Sequence, residues 1–386
     1  MKTLLFDLYS AQPSGGSKFH GGGEYIKSIF KELAENYSQT IRIIVFYDDS
    51  RYLDDWLQEL IKDRCIEYYF IRELSEIQNI FKKQSVDVFF SGLPEHYDVR
   101  WFPNSVKKIG TIHGLRKIEK PFDSCEINYY GGIKRIKAIL RYFKNIIAAR
   151  KIKEKYIYEQ RNVIEFLDYI ITVSKHSLYA LKYYYPELDE KRVGVFYSPA
   201  KVNPCAGMDL QRVIRDKYIL FIGGNRWMKN TYRGIQACDS LYNKGKLQGI
   251  HTVVVGQVPN TIVAKLKNSE MFIWKDYVET EELESLYRYC ELFVYPSLNE
   301  GFGYPPLEAM KYGTTCIVSA VCSLPEICGN AVYYVNPYDV DEIANRILQA
   351  LDNKISNKIS MLQLEKIMHK QTEDLKNICK YLSCMG

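Results

Sequence analysis

Two glutamates eight residues apart, Glu300 and Glu308, lie in the segment whose residue types are best suited to binding a ligand. The segment follows an apolar run, contains Gly301 and Gly303, and reaches two prolines that favour the start of a helix. Glycines let backbone approach a ligand closely, and a helix N-terminus attracts an anion such as a diphosphate. The two carboxylates could bind the hydroxyls of a sugar or a ribose. In the alternative, Glu308 complements the helix dipole and Glu300 is solvated.

Two basic residues follow another apolar run, which ends in Gly223 and Gly224. Arg226 and Lys229 would place two positive charges beside an anionic leaving group, and fixed cations stabilise negative charge that develops on a phosphate oxygen. The alternative is a loop in which both side chains are solvated.

The first half of the chain contributes glycines and a histidine. Gly21, Gly22 and Gly23 follow the first apolar strand by a loop and precede a helix predicted from Glu24. Open α/β sheets bind ligands at this edge, although the spacing is not the G-x-G-x-x-G of a dinucleotide site. His113 ends another predicted strand, so its imidazole would stand at the same edge of the sheet. A purely structural histidine is the alternative.

The elements that position these residues are short apolar runs alternating with helical patterns, which is typical of βαβ units and buried parallel sheets. Two such sets are separated by a polar, proline-containing break near residues 198–216. The predicted fold is therefore α/β, with two Rossmann-like parallel-sheet domains that face a central cleft. The predicted ranges are 1–200 and 214–360 for the domains, and 361–386 for a C-terminal helix that packs across both.

Composition limits the class of protein. The 386 residues are 47% hydrophobic and 25% charged, enough for two cores. No run of about 18 uncharged apolar residues and no secretory signal occurs, so we expect a cytoplasmic protein without a membrane-spanning helix. The net charge of +6 suits an anionic partner such as a phosphate-bearing substrate or a membrane surface. We expect no nucleic-acid partner.

Metal binding is not expected. The ten cysteines form no paired clusters with nearby histidines. Asp339 and Asp341 have the spacing of a metal-binding D-x-D pair, but they directly precede a helical pattern. We therefore interpret Asp339 as an N-cap and Asp341 as a first-turn acid, and we predict neither metal nor cofactor.

Residues 133–152 have the pattern of a basic amphipathic helix. Such a helix can lie on an anionic membrane, which would place the protein at the inner face of that membrane. In the alternative, the apolar stripe packs on the sheet and the charges point outward. The sequence leaves both interpretations open. The apolar positions are Ile133, Ile136, Ile139, Leu140, Phe143, Ile146 and Ile147.

The segment from Glu300 to Met310, written E-G-F-G-x-P-x-L-E-A-M, resembles the signature of the retaining glycosyltransferase family 4. Other segments resemble the same family in the same order along the chain: residues 21–23, 111–113, 171–174, 221–224, 229–230 and 323–326. The resemblance implies the GT-B fold and transfer of a sugar from a nucleotide diphosphate-sugar. It also implies a retaining outcome, through front-face attack in which the donor phosphate helps to take the acceptor's proton.

The resemblance also implies roles for particular residues. Glu308 would hold the ribose hydroxyls, Lys229 would neutralise the departing diphosphate, and His113 would contact the transferred sugar. Glu300, Gly301, Phe302 and Gly303 would meet the donor sugar and phosphates, and Gly22 and Gly23 would face the diphosphate from the first domain. The family places an arginine directly after the strand's glycine, whereas Arg226 is displaced here.

We therefore expect a hexosyltransferase that uses a UDP- or GDP-sugar and a glycan or lipid-linked glycan acceptor. By resemblance, bacterial surface polysaccharide or lipopolysaccharide synthesis is the expected setting, with mannose or glucose as the transferred sugar. A nucleotide-sugar epimerase of the same fold and a non-catalytic nucleotide-sugar or glycan-binding protein are the alternatives.

Overall fold

The chain folds into two compact units, each built on one parallel sheet. A computed structural model describes residues 1–13, 20–201 and 209–384. The first unit draws on Met1–Leu115, Lys155–Val202 and Met368–Gly386, and the second on Arg116–Glu154 and Asn203–Ile367. The predicted α/β class with two parallel-sheet units is confirmed. The predicted break near 198–216 includes residues 202–208, which lie outside the described residues.

The first unit contains a seven-stranded sheet in which every paired strand is parallel. Its strands are β1 (Lys2–Asp7), β2 (Ile41–Tyr47), β3 (Glu67–Phe70), β4 (Val88–Ser91), β5 (Lys107–Ile112), β6 (Tyr169–Thr172) and β7 (Val193–Val195). Their order is β3-β2-β1-β4-β5-β6-β7, so the chain reverses its direction of winding between β1 and β4. Consecutive residues of β1, such as Leu4 and Leu5, are fully buried because helices cover both faces of such a sheet.

The second unit repeats this plan with six parallel strands. They are β8 (Lys217–Ile222), β9 (Ile250–Val255), β10 (Phe272–Lys275), β11 (Leu292–Tyr295), β12 (Cys316–Ser319) and β13 (Tyr333–Val335). The order is β10-β9-β8-β11-β12-β13. The winding therefore reverses between β8 and β11, which lie side by side at the centre of the sheet.

Fourteen α-helices are described. They are α1 (Gly21–Asn36), α2 (Asp55–Asp63), α3 (Ile77–Lys83), α4 (Arg116–Glu119), α5 (Gly132–Ile147), α6 (Ala149–Phe166), α7 (Lys175–Tyr184), α8 (Thr231–Asn243), α9 (Asn260–Val263), α10 (Thr280–Tyr289), α11 (Tyr304–Met310), α12 (Leu324–Cys328), α13 (Val340–Asp352) and α14 (Asn357–Cys384). Within the described ranges, none of the helices is both long and apolar enough to cross a bilayer.

Helix α1 begins three residues before the predicted start at Glu24. His20 has an extended backbone, and its Nδ1 accepts a hydrogen bond from the backbone N–H of Gly23 at 3.0 Å. This cap satisfies one of the unpaired amides of the first turn, which allows the three glycines to be helical.

Residues 116–154 differ from the predicted domain ranges, because they belong to the second unit rather than to the first. Asp123 pairs with Arg233 at 2.9 Å, and Thr261 Oγ1 donates to the carbonyl of Asn128 at 2.6 Å. Cys125 is buried in an apolar cluster with Met228 and Leu298. These contacts depend on side chains distant in sequence, which no local pattern indicates.

The C-terminal helix contributes residues to both units, up to Ile367 in the second and from Met368 in the first. It begins at Asn357, before the predicted residue 361. Within the first unit, the buried Asp374 carboxylate accepts a hydrogen bond from the backbone N–H of Tyr197 at 2.8 Å. Gln371 donates to the carbonyl of Ser198 at 2.6 Å.

Candidate functional site

Apart from Glu308, the predicted site residues of the second unit lie on the two loops that leave its central strands. Gly223 follows β8, and Pro296 follows β11. Since these strands are adjacent and parallel, their carboxyl ends meet at the point where the winding reverses. Open α/β sheets bind ligands at this switch point. Topology therefore brings the loop with Arg226 and Lys229 beside the loop with Glu300.

Lys229 and Glu300 form a buried ion pair with 2.7 Å between Nζ and Oε1. Their side chains are 11% and 8% exposed, so the alternatives of a solvated lysine and a solvated glutamate are wrong. The hydroxyls of Tyr295 and Ser297 donate to the same Oε1, at 2.7 and 2.5 Å. Lys229 also donates to the Tyr295 hydroxyl. In the low dielectric of the protein interior, an ion pair is stable only when further hydrogen bonds satisfy its remaining polar atoms. The Lys229–Glu300 pair has such bonds.

The second carboxylate oxygen of Glu300 is different. All three side-chain donors bond to Oε1, and no donor from the described residues bonds to Oε2. Ser323 Oγ fixes the loop by donating to the carbonyls of Glu300 and Phe302, at 3.0 and 2.8 Å. The loop therefore presents one carboxylate oxygen that can accept a hydrogen bond from a ligand.

The local charge is positive. Burial, together with the charges of Arg226 and Arg116, lowers the pKa of Lys229 to about 8, although the nearby Glu300 carboxylate acts to raise it. Burial disfavours ionised Glu300, but Lys229, Arg116 and the hydrogen bonds outweigh burial and hold its pKa at about 2. Both shifts have the direction expected where several cations surround one carboxylate. Such a site favours an added anion.

The sequence did not identify Arg116 as a site residue. It begins α4, three residues after His113, and its charge acts on Lys229, Glu300 and Tyr295. Its Nε is buried and has no hydrogen-bond acceptor in the part of the chain that the structure describes. A buried guanidinium nitrogen without an acceptor is costly, so an external acceptor is a natural partner. No motif in the sequence marks this position.

Arg226 is exposed, in contrast to Lys229. It precedes the short 3₁₀ turn Trp227–Lys229, and its charge reaches the Lys229 ammonium. The structure thus places the displaced arginine near the pair without burying it, and its predicted role stays a prediction.

Glycine is required at two turns of these loops. Gly303 has φ +110°, and a Cβ there would lie 2.8 Å from Leu324. Gly223 has φ +76°, and a Cβ there would lie 2.8 Å from the Lys229 side chain. Positive φ strains other residues, so each glycine fixes the path of its loop. Gly301 and Phe302 lie between Glu300 and Gly303, with the Phe302 side chain buried.

Glu308 occupies the fifth position of α11, one turn after the start of the helix at Tyr304. Its carboxylate is buried and accepts a hydrogen bond from the Tyr287 hydroxyl at 3.1 Å. The interpretation of Glu308 as a simple dipole-complementing acid is therefore wrong. Its predicted contact with ribose stays a prediction.

Asn230 connects the two loops. It is fully buried with φ +57°, and its Nδ2 donates to the carbonyls of Pro296 and Pro337 at 2.9 and 2.6 Å. Asn tolerates this left-handed conformation better than most residues. One side chain therefore joins the turn that carries Lys229 to the loop after β11.

The remaining candidates, Gly22, Gly23 and His113, lie in the first unit. His113 follows β5, and its Nε2 lies 3.0 Å from the carbonyl of Gly92, the residue after β4. Because a carbonyl only accepts, Nε2 carries the hydrogen, and Nδ1 of the neutral ring is an acceptor. The ring of Tyr25 packs edge-on against the imidazole at 4.8 Å between centroids. In this orientation, Nδ1 of His113 could accept a hydrogen bond from a hydroxyl group.

The two glycines form the first turn of α1, close to other loops at the same edge of the sheet. A Cβ on Gly22 would lie 3.0 Å from Leu93, and a Cβ on Gly23 would lie 2.8 Å from the carbonyl oxygen of Ala11. Small residues therefore let α1 approach the loops after β1 and β4. A ligand role for either glycine stays a prediction.

The interpretation of Asp339 as an N-cap is confirmed. Its carboxylate accepts a hydrogen bond from the backbone N–H of Glu342 at 3.0 Å, at the start of α13.

Solved glycosyltransferases share the fold over almost the whole chain. The sucrose-phosphate synthase of Thermosynechococcus elongatus aligns with a TM-score of 0.67 at 15% identity and covers 98% of both chains. Anabaena HepE, solved in complex with UDP and glucose, aligns with a TM-score of 0.67 at 12% identity over 99% of this chain and all of its own. The chain therefore has the GT-B fold.

A match to a known family lies within the second unit. Residues 210–369 match the family model described as glycosyl transferases group 1, and this range contains every candidate residue from Arg226 to Glu308. The resemblance to a glycosyltransferase family seen in the sequence is therefore confirmed for this range.

Curated relatives match parts of the chain. The serotype-specific mannosyltransferase WbdA of Escherichia coli is 43% identical over 82 residues, 21% of this chain and 10% of that protein. The O-antigen chain mannosyltransferase RfbU of Salmonella typhimurium is 29% identical over 155 residues, 39% of this chain and 42% of that protein. The matches thus span less than half of the length of these relatives.

The lowered pKa of Lys229 predicts a pH dependence. Binding of an anionic sugar nucleotide requires the protonated lysine. We therefore expect the dissociation constant of the sugar nucleotide to be constant below pH 8. Above that pH it should rise by about tenfold per unit as Lys229 loses its proton. Lys229→Arg, which stays charged, should bind without this rise. The measurement is calorimetric titration with a sugar nucleotide from pH 6.5 to 9.5. A rise that persists unchanged in Lys229→Arg would contradict the assignment.

Arg116 should contribute to turnover although it lies outside the family motif. Arg116→Ala removes a charged donor and should lower kcat/KM by about ten- to hundredfold, with partial recovery in Arg116→Lys. Arg288→Ala, which removes an exposed arginine of the same unit, is the matched control and should be neutral. Steady-state kinetics with the sugar nucleotide as the varied substrate measures this. Equal kcat/KM for Arg116→Ala and wild type would remove Arg116 from the site.

Proposed function

We propose that the protein is a retaining glycosyltransferase that moves a hexose from a UDP- or GDP-sugar to a glycan or lipid-linked glycan acceptor. The observation that carries the proposal is the buried Lys229–Glu300 pair, surrounded by surplus positive charge at the switch point of the second sheet. A diphosphate supplies the negative charge that this arrangement favours. Mannose is the proposed hexose, because the curated relatives are named as mannosyltransferases.

Each group in the second unit has a proposed task. Lys229, with Arg226 and Arg116, stabilises the negative charge that grows on the diphosphate as the glycosidic bond breaks. Glu300 holds Lys229 in place through Oε1 and accepts a donor hydroxyl through Oε2. Glu308, oriented by Tyr287, accepts the ribose hydroxyls.

In the first unit, His113 contacts the transferred sugar through Nδ1. The tautomer fixed by the Gly92 carbonyl makes Nδ1 an acceptor for a sugar hydroxyl. We propose front-face attack by the acceptor hydroxyl, with the donor phosphate oxygen taking the proton as the sugar–phosphate bond breaks. No metal is needed in this scheme, because the protein's own cations neutralise the leaving group.

The proposed setting is synthesis of a bacterial surface polysaccharide, with the protein peripheral on the inner face of a membrane. The O-antigen naming of the RfbU relative supports the product class. The net charge of +6 and the basic residues within 133–152 support contact with an anionic membrane surface.

A nucleotide panel tests the proposal. UDP, GDP, ADP and their common sugar conjugates are compared by thermal shift, with and without a metal chelator. A true donor at a hundred times its dissociation constant adds about 2.7 kcal/mol, and a unit of this size gains roughly 2–4 °C per kcal/mol. We expect stabilisation by one base, unchanged by chelator and lost in Lys229→Ala. Lys275→Ala, which breaks another Lys–Glu pair of the same unit, is the control.

Product analysis completes the test. Slow hydrolysis of the stabilising donor would identify a catalyst rather than a binding protein, and NMR of the released sugar would show whether the anomeric configuration is retained. Absence of a shift with every nucleotide, in a folded sample, would contradict the proposal. Conversion of the donor to its epimer would replace it with the epimerase alternative.

A further inference from the structure

Helix α5 leaves an apolar face exposed. Of its sixteen residues only Ala138 is buried. Six large apolar side chains on it are between 46% and 88% exposed and Ile139 is half-buried, so the alternative in which the whole stripe packs on the sheet is wrong. The predicted helix over 133–152 also ends earlier, at Ile147, and α6 starts anew at Ala149. The exposed residues are Ile133, Ile136, Leu140, Phe143, Ile146 and Ile147.

The exposed side chains form a continuous stripe. Ile133, Ile136, Leu140, Phe143 and Ile147 follow one another at intervals of three or four residues. Residues at these intervals lie one above another on one side of a helix. The stripe therefore runs along the whole of α5, about 24 Å at 1.5 Å per residue. An apolar face of this length that is open to water indicates an interaction surface.

A row of cations flanks this stripe. Each of its first four residues is followed at once by a lysine or an arginine, and one residue corresponds to about 100° around a helix. The row therefore lies along one side of the apolar stripe. No acidic residue occurs from 132 to 153. The basic residues are Lys134, Lys137, Arg141 and Lys144.

Arg141 attaches α5 to the rest of the second unit. Arg141 pairs with Glu126 at 2.6 Å, and Glu126 also accepts from the Tyr130 hydroxyl at 3.2 Å. The turn Ser124–Tyr129 is in turn bonded to α9 through Asn128 and Thr261. Helix α5 is thus fixed to the body that carries the Lys229–Glu300 site, with its apolar stripe outward.

We propose that α5 is an interfacial helix that attaches the second unit to an anionic lipid bilayer. The stripe would enter the boundary between headgroups and acyl chains, and the lysine row would lie at the level of the anionic headgroups. A second copy of the chain fits the exposed face of α5 less well than a lipid bilayer does. An antiparallel stripe-to-stripe contact would bring two basic rows together, with no acidic residue in the segment to neutralise them. The inference rests on the proposed function for its purpose, which is to hold the donor site near a lipid-linked acceptor.

Vesicle binding tests the inference without donor or acceptor, so its result is independent of the nucleotide panel. The full chain is floated with phosphatidylcholine vesicles containing about 30% phosphatidylglycerol, or none. We expect binding to the anionic vesicles only, weakened by high salt. Two variants separate the contributions: Ile136→Ser with Leu140→Ser and Phe143→Ser, and Lys134→Gln with Lys137→Gln and Lys144→Gln.

Each triple variant should lower the partition coefficient at least about tenfold, because an interfacial helix needs both apolar burial and charge. The control is Ile359→Ser with Leu362→Ser and Met368→Ser, three exposed apolar residues of α14, and it should bind like wild type. Unchanged thermal midpoints would show that the variants are folded. Wild-type binding that is absent, or equal in the apolar-stripe variant, would overturn the inference. So would a dimer in sedimentation velocity that the same variant dissociates.

Discussion

The second unit depends on one buried ion pair. Lys229 and Glu300 come from loops 71 residues apart in sequence, and each would be an uncompensated buried charge without the other. The pair also binds Tyr295 and Ser297, so it fixes the loop after β11 to the turn after β8. The surplus of cations over carboxylates around it is what makes this edge of the sheet a site for an anion.

Other contacts in the unit hold these loops beside each other. Adjacent parallel strands bring the loops together, and Asn230, in the turn after β8, donates to the carbonyl of Pro296 in the loop after β11. Ser323 closes the loop that carries Glu300. The segment 116–154 adds Arg116 to the site and carries α5 on its outer side. One inserted stretch of chain thus serves both the charge of the site and, by our inference, attachment to a membrane.

The sequence was sufficient for the fold class and for the motif residues, because buried parallel strands and glycine-rich turns have local patterns. It predicted none of β3, β7 and β10, which are short, partly exposed edge strands. It also assigned residues 116–154 to the first domain. Their placement depends on contacts such as Asp123–Arg233 that join distant positions. For the same reason Arg116 was missed, since only tertiary structure brings its charge near Lys229.

The central claim, that surplus positive charge around Lys229 binds a diphosphate, is tested most directly by comparing affinities for the nucleoside, its monophosphate and its diphosphate. Titration calorimetry is performed on wild type and on Lys229→Met combined with Glu300→Gln, which removes both buried charges together. We predict that wild type prefers the diphosphate strongly over the nucleoside. In the double variant, the ratio of the affinity for the diphosphate to that for the nucleoside should fall at least about tenfold, while the affinity for the nucleoside stays the same. An unchanged preference in the double variant would contradict the account.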